Sequence, residues 1–532
     1  MAEPWWRDAV VYQVYLRSFA DADASGEGDL PGVRSRLPYL ADLGVDAIWL
    51  NPFYPSPMHD SGYDIVDYCG VDARFGTLED FDILVRDAAD LGIRVIIDIV
   101  PNHCSSQHPW FREAMGAGPG SEARKRFIFR DAPNNWQSLF GGPAWTRTPD
   151  GQWYLHLFDS TQPDFNWRHP DVVALFDQVL RFWLKRGVAA VRIDMANTLF
   201  KERDLPDLPS ASTAAPYYDQ PELRSLYRSW RRILDSYPSD TFPGPRGAVA
   251  EIWFSDPDIA RLYLTKDGLP QVFNFRLMLV PWAAADLRAV IDEARGLVAE
   301  SGGSMPWVLG NHDITRMVSR LGIDQALIRR PSAALRRGAV EVDIPRGTRR
   351  ARAAVLLQLA LPGAAYLYQG DELGLPEYLA IPDDRRKDPT FHRTGGAAIG
   401  RDGCRVPMPW SGNAPPYGFA DGPVPTWLPQ PPDWAALTVA AELSETGSML
   451  QLYRAALLLR REHPALGDGE MTWVESSNAE LAFTREPGFE FMANLGDSPA
   501  PLPAGCRVIL ASGPLDSGRL PADTAVWLDR AV

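Results

Sequence analysis

Eight short runs along the chain are apolar at nearly consecutive positions: residues 10–19, 47–54, 94–103, 189–196, 248–253, 271–275, 307–313 and 364–370. Most lack the in–out alternation of a half-wet sheet, as strands buried on both faces must. Amphipathic stretches such as 78–91 and 171–186, with apolar positions at helical spacing, lie between several of them. Strand and helix in alternation predict an α/β protein built on a parallel (β/α)8 TIM barrel, whose reactive groups belong at the C-terminal ends of its strands. The 353–368 stretch is broken by Gln358 and Pro362, so it reads as a buried helix end plus a strand, not a membrane span.

The spacing of the runs is uneven. More than 80 residues separate His103 from Ala189, and they carry Trp110, Trp136, Trp145, Trp153 and Trp167. That is too long for a loop and predicts a subdomain inserted after strand 3. A second long segment, 376–437, follows the eighth run. An amphipathic helix comes next at 450–463, then short β-rich strings with turn signals (MTWVE, LAFTRE, EFMANLGD, RVILAS). The expected organisation is a barrel over 1–103 and 172–455, an insert over 104–171, and a C-terminal antiparallel β domain over 456–532.

Composition narrows the function. The 532 residues hold 53 Lys and Arg against 68 Asp and Glu, a net charge of −15. An acidic surface repels phosphate backbones and argues against nucleic acid as a partner. No basic, apolar, small-residue series opens the chain, so it reads as lacking a secretory signal. Cys69, Cys104, Cys404 and Cys506 form no paired motif, which points to reduced thiols and a cytoplasmic protein with no membrane partner. The 47 prolines exceed the roughly 5% average, and twelve of them fall in the second long segment, where ordered loops carry function.

Charged and polar residues cluster where the apolar runs end: Asp98 and Asn102-His103, Arg192-Ile-Asp194, Glu251, and Asn311-His312-Asp313. One such charge is more often a structural ion pair; four strand ends together favour a site. The set is dominated by carboxylates, with no cysteine pair, phosphate loop or serine elbow. It suits acid/base and nucleophilic chemistry without a catalytic cofactor, and glycoside hydrolysis needs such a set.

DIVPNH (98–103), VRIDMAN (191–197), AEIW (250–253) and LGNHD (309–313) occur in that order, on the expected strands. With QPDFN (162–166) they resemble the signature regions of glycoside hydrolase family 13, the α-amylase family, in its α-glucosidase and oligo-1,6-glucosidase branch. The resemblance implies that Asp194 is the nucleophile, Glu251 the general acid and base, and Asp313 the carboxylate that braces the sugar. It implies that His103 and His312 bind the same glucose, and that Phe158 and Met195 touch it. Arg192 is expected to keep Asp194 ionised, and Glu251 to need a raised pKa. A separation of about 5–5.5 Å between Asp194 and Glu251 would give retention of configuration.

The same resemblance carries His59-Asp60-Ser-Gly-Tyr63-Asp64 to the pocket's blind end, with Tyr63 as a stacking platform. Asp60 should pair with an arginine of GRDGCRVPMPW (400–410): Arg401 is expected, Arg405 is the weaker choice. That bridge would make cleavage exo-acting. Asp21, Asp23, Ser25, Glu27 and Asp29 repeat the first part of an EF-hand spacing, with Gly26 at its sixth position. Alone this reads as an acidic turn; the resemblance implies a structural Ca²⁺ or Mg²⁺, with Glu27 ligating through its carbonyl and Ser25 the weaker ligand. Met195 is neither of the residue types that track α-1,6 or α-1,4 preference, and α-1,4 is favoured. The expected activity is a retaining exo-α-glucosidase on small α-glucosides, with transglucosylation. The alternatives are a trehalose synthase or sucrose-acting isomerase of the same family, and a non-catalytic carbohydrate-binding relative.

Overall fold

A computed structural model describes residues 4–208, 215–237, 244–253, 256–328 and 340–530. Each apolar run marks one strand, with β5 alone beginning one residue before its run: β1 (Val10–Val14), β2 (Ala47–Leu50), β3 (Arg94–Ile99), β4 (Ala190–Ile193), β5 (Gly247–Ala250), β6 (Gln271–Val272), β7 (Trp307–Val308) and β8 (Ala365–Tyr368). The strands pair in parallel in the order β7-β8-β1-β2-β3-β4-β5-β6. Bridges Gln271–Ser304 and Asn274–Trp307 join the outer pair, so the sheet curls into a ring. The ring is α/β and barrel-like, as the alternation predicts.

Seven of the eight strands end three to five residues before the end of the apolar run that marks them; β8 ends two before. The chain stays apolar past the sheet because its loops are roofed. Phe53 and Tyr54, just beyond β2, are fully buried and pack against Trp183 at 5.3 and 5.7 Å between ring centres. Burial, not strand pairing, sets the hydrophobic pattern there.

Helices supply the outer layer. Thr77 caps Leu78–Asp90 in a reciprocal box with Asp80. Phe81, Leu84 and Ala88 then face inward at helical spacing. Pro170–Lys185 begins on a proline preorganised for the first turn and buries Phe176, Val179, Leu180 and Trp183. The helix Ile344–Ala360 followed by β8 matches the reading of the 353–368 stretch.

Between β3 and β4 lie helix Pro109–Ala117 and a three-stranded sheet of Phe129–Arg130, Trp153–Leu155 and Trp145–Arg147. Its aromatic cluster, including Trp136, Trp145 and Phe158, is continuous with Met195 of the barrel and with Tyr217. The C-terminal sheet has five antiparallel strands. Four match the short β strings; the fifth, Thr524–Arg530, lies between Phe489–Asn494 and Cys506–Ala511. It was not expected, because TAVWL has no alternation: the sheet is covered on both sides, and its residues 524–528 are all buried. The helix Met449–Glu462 runs across the expected 455/456 boundary. The four cysteines are free thiols, and no helix among the described residues is long and apolar enough to cross a membrane.

Candidate active site

The strand-end residues converge on one buried guanidinium. Arg192 points inward from β4 and is 1% exposed. Its Nη1 donates to Asp98 at 2.6 Å and to Asp194 at 2.7 Å, and its Nη2 donates to Glu251 at 2.5 Å. Three carboxylates from β3 and the ends of β4 and β5 thus share one cation. Charge-assisted bonds of this kind are short and fix geometry. They leave the cluster with more negative than positive charge, a condition that favours a retained proton.

Asp194 shows the result. Burial pushes its carboxyl well above the ordinary range; Arg192 pulls it down, while Glu251 and Asp98 push it up again. Arg192 supplies the lowering pull expected of it, but burial and the two other acids outweigh that pull. Sequence adjacency shows the cation but not the burial or the two competing acids. Asp98 is likewise lifted to about 6, by burial against the pull of Arg192.

Glu251 is held from three sides. Its Oε2 also accepts from the Met195 amide at 3.2 Å, and its Oε1 accepts from Trp253 Nε1 at 2.9 Å. Met195 has φ 43°, a left-handed conformation that costs an ordinary residue roughly 1–2 kcal/mol. This twist sends two successive amides to Glu251: Met195 N–H to its carboxylate and Ala196 N–H to its carbonyl at 2.9 Å. The strain sits between the carboxyls of Asp194 and Glu251, where it fixes one relative to the other.

His312 is neutral. Burial pushes it well below its ordinary value. Gln13 Nε2 donates to Nδ1 at 2.7 Å; that leaves Nε2–H to donate to the Tyr63 hydroxyl at 2.7 Å, which donates onward to Asp98 at 2.9 Å. This tautomer follows from the hydrogen-bond network. His103, fully buried, is lowered to about 4 by desolvation. Gln162 of the QPDFN string places its Nε2 3.1 Å from both His103 Nε2 and Asp60 Oδ2. Asp164 of the same string pairs with buried Lys201 at 2.8 Å.

Arg401 closes one end of the pocket. Its Nη2 meets Asp60 at 2.7 Å, its Nη1 meets Asp313 at 3.1 Å, and its Nε meets fully buried Asp388 at 2.5 Å. Arg405 reaches Asp313 at 2.8 Å. Burial raises Asp313, yet the surrounding charges outweigh it and hold the carboxylate well below its usual range. With His312 neutral, Arg401 and Arg405 are the charges that matter. Asp60, more fully buried, stays raised, to about 6, despite its bridge to Arg401.

These groups line a cavity of about 310 Å³ that holds Asp60, Tyr63, His103, Phe158, Asp194, Met195, Glu251, His312, Asp313 and Arg401. Of the expected catalytic and sugar-binding residues, only Arg192 lies behind the wall. Leu139, Phe140, Tyr218, Trp253 and Ile314 complete the lining. Trp253 appears in sequence only as the end of AEIW and the others in no motif, because such side chains give no signal in sequence about which surface they face. Asp388, the third partner of Arg401, was missed for the same reason.

The acidic loop lies apart from this cavity. Carboxylate oxygens of Asp21, Asp23 and Asp29 come within 4.8 Å of one another. That spacing suits an oxygen-bound divalent ion with ligands at about 2.3–2.6 Å. Ser25 Oγ lies 3.2 Å from the Glu27 carbonyl, while the Glu27 side chain turns away to Arg17 at 2.7 Å. The donor set therefore fits Ca²⁺ or Mg²⁺.

A barrel with paired acids beside a shared arginine, and a sugar-sized pocket, defines a glycoside hydrolase site. Comparison with known proteins agrees. The model of the alpha amylase catalytic domain matches residues 13–469, so the chain belongs to that family, glycoside hydrolase family 13. It is 37% identical to a probable alpha-glucosidase of Rhizobium meliloti (strain 1021), over 91% of this chain and 88% of that one. It is 36% identical to maltase 1 of Drosophila virilis, over 91% and 76%. Among solved structures, an alpha-glucosyl transfer enzyme superposes with a TM-score of 0.85 at 35% identity, covering 99% of this chain and 100% of that one. The trehalulose synthase of Pseudomonas mesoacidophila MX-45 gives 0.85 at 30%, with the same coverage.

Proposed function

We propose that the protein is a retaining, exo-acting α-glucosidase of small α-glucosides, with α-1,4 bonds favoured and glucosyl transfer as a side reaction. The observation that carries the reading is the pair Asp194 and Glu251 held on separate nitrogens of Arg192, in a pocket whose end is closed by the Arg401–Asp60 bridge. The relatives named probable alpha-glucosidase and maltase support the substrate class.

In this reading Asp194 attacks the anomeric carbon and forms a β-glucosyl ester while Glu251 donates its proton to the departing oxygen. Glu251 then takes a proton from water, which opens the ester. Glu251 delivers the proton and Asp194 reacts ionised beside Arg192. Asp313, its charge secured by Arg401 and Arg405, accepts hydrogen bonds from the sugar hydroxyls, with His103 and His312 beside it. Asp60 and Arg401 hold the outermost hydroxyls and leave no room for a further sugar, so polymers are poor substrates. A neutral His312 donates or accepts without competing for the proton.

Asp21, Asp23, Ser25, Asp29 and the Glu27 carbonyl are the ligands for a structural Ca²⁺ or Mg²⁺, which takes no part in the chemistry.

The testing experiment is a product time course from maltose, isomaltose, sucrose and trehalose. Glucose released from maltose from the first time point is expected. Conversion of sucrose or maltose into an isomeric disaccharide with little glucose would replace this reading by the isomerase one, as in the trehalulose and isomaltulose synthases of similar fold.

A further inference from the structure

The segment following β8 touches the pocket at Arg401 and, through a different residue, holds the insert. Arg393 ends the short helix Pro389–Arg393. Its Nε and Nη2 both donate to the Gly141 carbonyl, at 3.0 and 2.6 Å, and its Nη1 meets Asp159 at 3.2 Å. These partners lie more than 230 positions away in the chain. Both adjoin pocket-lining aromatics: Phe140 precedes Gly141, and Phe158 precedes Asp159.

The turn that Arg393 holds is also tied within the insert. Ser138 Oγ donates to the Phe158 carbonyl at 2.7 Å and accepts from the Phe140 amide at 3.1 Å. Gly141 and Gly142 have φ 93° and 75°, so the turn crosses two left-handed positions that only glycine takes at low cost. A Cβ on Gly142 would approach Arg393 Nη2 to 3.4 Å. The rings of Phe140 and Phe158 meet edge to face at 5.4 Å, and Phe158 meets His103 at 4.9 Å.

The other end of the same helix reaches Arg401. Asp388 caps it through the Thr390 amide and grips Arg401 Nε. The Arg401 guanidinium in turn lies 5.0 Å from the Phe140 ring. The loop of contacts is closed: Asp388 to Arg401, Arg401 to Phe140, the Phe140 turn to Arg393, and Arg393 through its own helix back to Asp388.

We propose that Arg393 is a positioning residue for sugar binding: it fixes the Phe140–Phe158 wall at a set distance from Arg401, and so sets the width of the pocket without touching the substrate. The proposal rests on the α-glucosidase reading and adds a determinant of affinity to it. Arg393 has no contact with Asp194, Glu251 or Arg192, so its loss acts on binding and leaves the chemical step intact. A KM effect with little kcat effect is the signature of lost uniform binding.

The experiment measures maltose hydrolysis and, by calorimetry, glucose binding for wild type, Arg393→Ala, Arg393→Lys, Phe140→Ala and the Arg393→Ala/Phe140→Ala double variant. Loss of a charge-assisted contact should raise KM and the glucose Kd about tenfold in Arg393→Ala, with kcat within about twofold. Arg393→Lys should recover part of the loss, since an ammonium reaches Gly141 or Asp159 but lacks the fork that meets both. Because Arg393 acts through Phe140, the double variant should bind no more weakly than Phe140→Ala alone. Unchanged KM and Kd in Arg393→Ala, or single effects that multiply in the double variant, would overturn the proposal. Should Arg393→Ala fail to fold, Arg393→Lys decides by the same readouts: a modest rise in Kd supports the role, and no rise refutes it. A wild type that binds glucose but leaves maltose intact would refute the α-glucosidase reading, while the glucose Kd values would still judge Arg393.

Discussion

Replacing Arg401 by alanine perturbs binding and stability by amounts that can be worked from its three contacts. The guanidinium meets Asp60 at 2.7 Å, Asp313 at 3.1 Å and Asp388 at 2.5 Å. Breaking a buried pair by removing one partner costs about 3–5 kcal/mol. The lower end applies here. Asp60 is already raised to about 6 and sheds its charge readily, and Asp388, held low chiefly by Arg401 itself, loses that hold against the raising effect of burial. The expected loss of about 3 kcal/mol lowers Tm by a few degrees for a chain of 532 residues. Activity suffers more. Asp60 loses its charge and Asp313 keeps only Arg405, so two charge-assisted contacts to the sugar weaken, at about 1.5–3 kcal/mol each. Together these correspond to roughly 10²–10⁴ in kcat/KM for maltose. Arg401→Lys should recover little, because one ammonium cannot span three carboxylates. The assay is steady-state hydrolysis of maltose, with a thermal melt on the same samples. An Arg401→Ala enzyme within tenfold of wild type, despite a lowered Tm, would show that the bridge is structural and that the account of the closed pocket end is mistaken.

Three other outcomes follow from the site. Glu251→Gln should cut maltose turnover by about 10³–10⁴ while sparing the first step on an aryl glucoside whose leaving group needs no proton; equal losses on both substrates would remove Glu251 from the acid role. Asp60 is raised from 3.8 to about 6, so the folded protein binds this proton more tightly than the unfolded chain does. Its stabilising contribution is complete below about 3.8 and is lost as pH rises through about 6. The bridge to Arg401 has the opposite dependence, so KM for maltose should rise as pH falls through about 6 in wild type and not in Asp60→Asn; an identical KM profile in both would assign the limb to another group such as Asp98. Chelator treatment should lower Tm by a few degrees, with recovery on adding Ca²⁺ or Mg²⁺ in wild type and none in Asp21→Ala; a Tm indifferent to chelator and ion alike would make the loop a plain acidic turn.

The barrel was legible because eight doubly buried strands leave eight apolar runs, and because the charged residues that break that rule do so at the strand ends. Asp194, Glu251 and Asp313 could be named for that reason. The Asp60–Arg401 bridge was legible only through the motif resemblance, since 341 positions separate the two residues. What sequence did not convey is what depends on loops meeting in space. Asp388 and Arg393 look like surface residues of a charged, proline-rich segment; Asp388 is fully buried, and Arg393 spans to the insert. Phe140 and Trp253 are ordinary aromatics until the chain turns them to the cavity. The raising of the Asp194 carboxyl was not legible, because the cation two positions away is visible in sequence whereas burial and the carboxylates of Asp98 and Glu251 are not. Thr524–Arg530 escaped notice because a sheet covered on both sides erases the period that identifies a strand.

The central claim is that Asp194 and Glu251 carry out a double displacement. Proton NMR of maltose hydrolysis, recorded in the first minutes before mutarotation, tests it most directly. The account predicts that the newly released non-reducing glucose appears as the α-anomer. First-formed β-glucose would mean a single displacement by water and would contradict it.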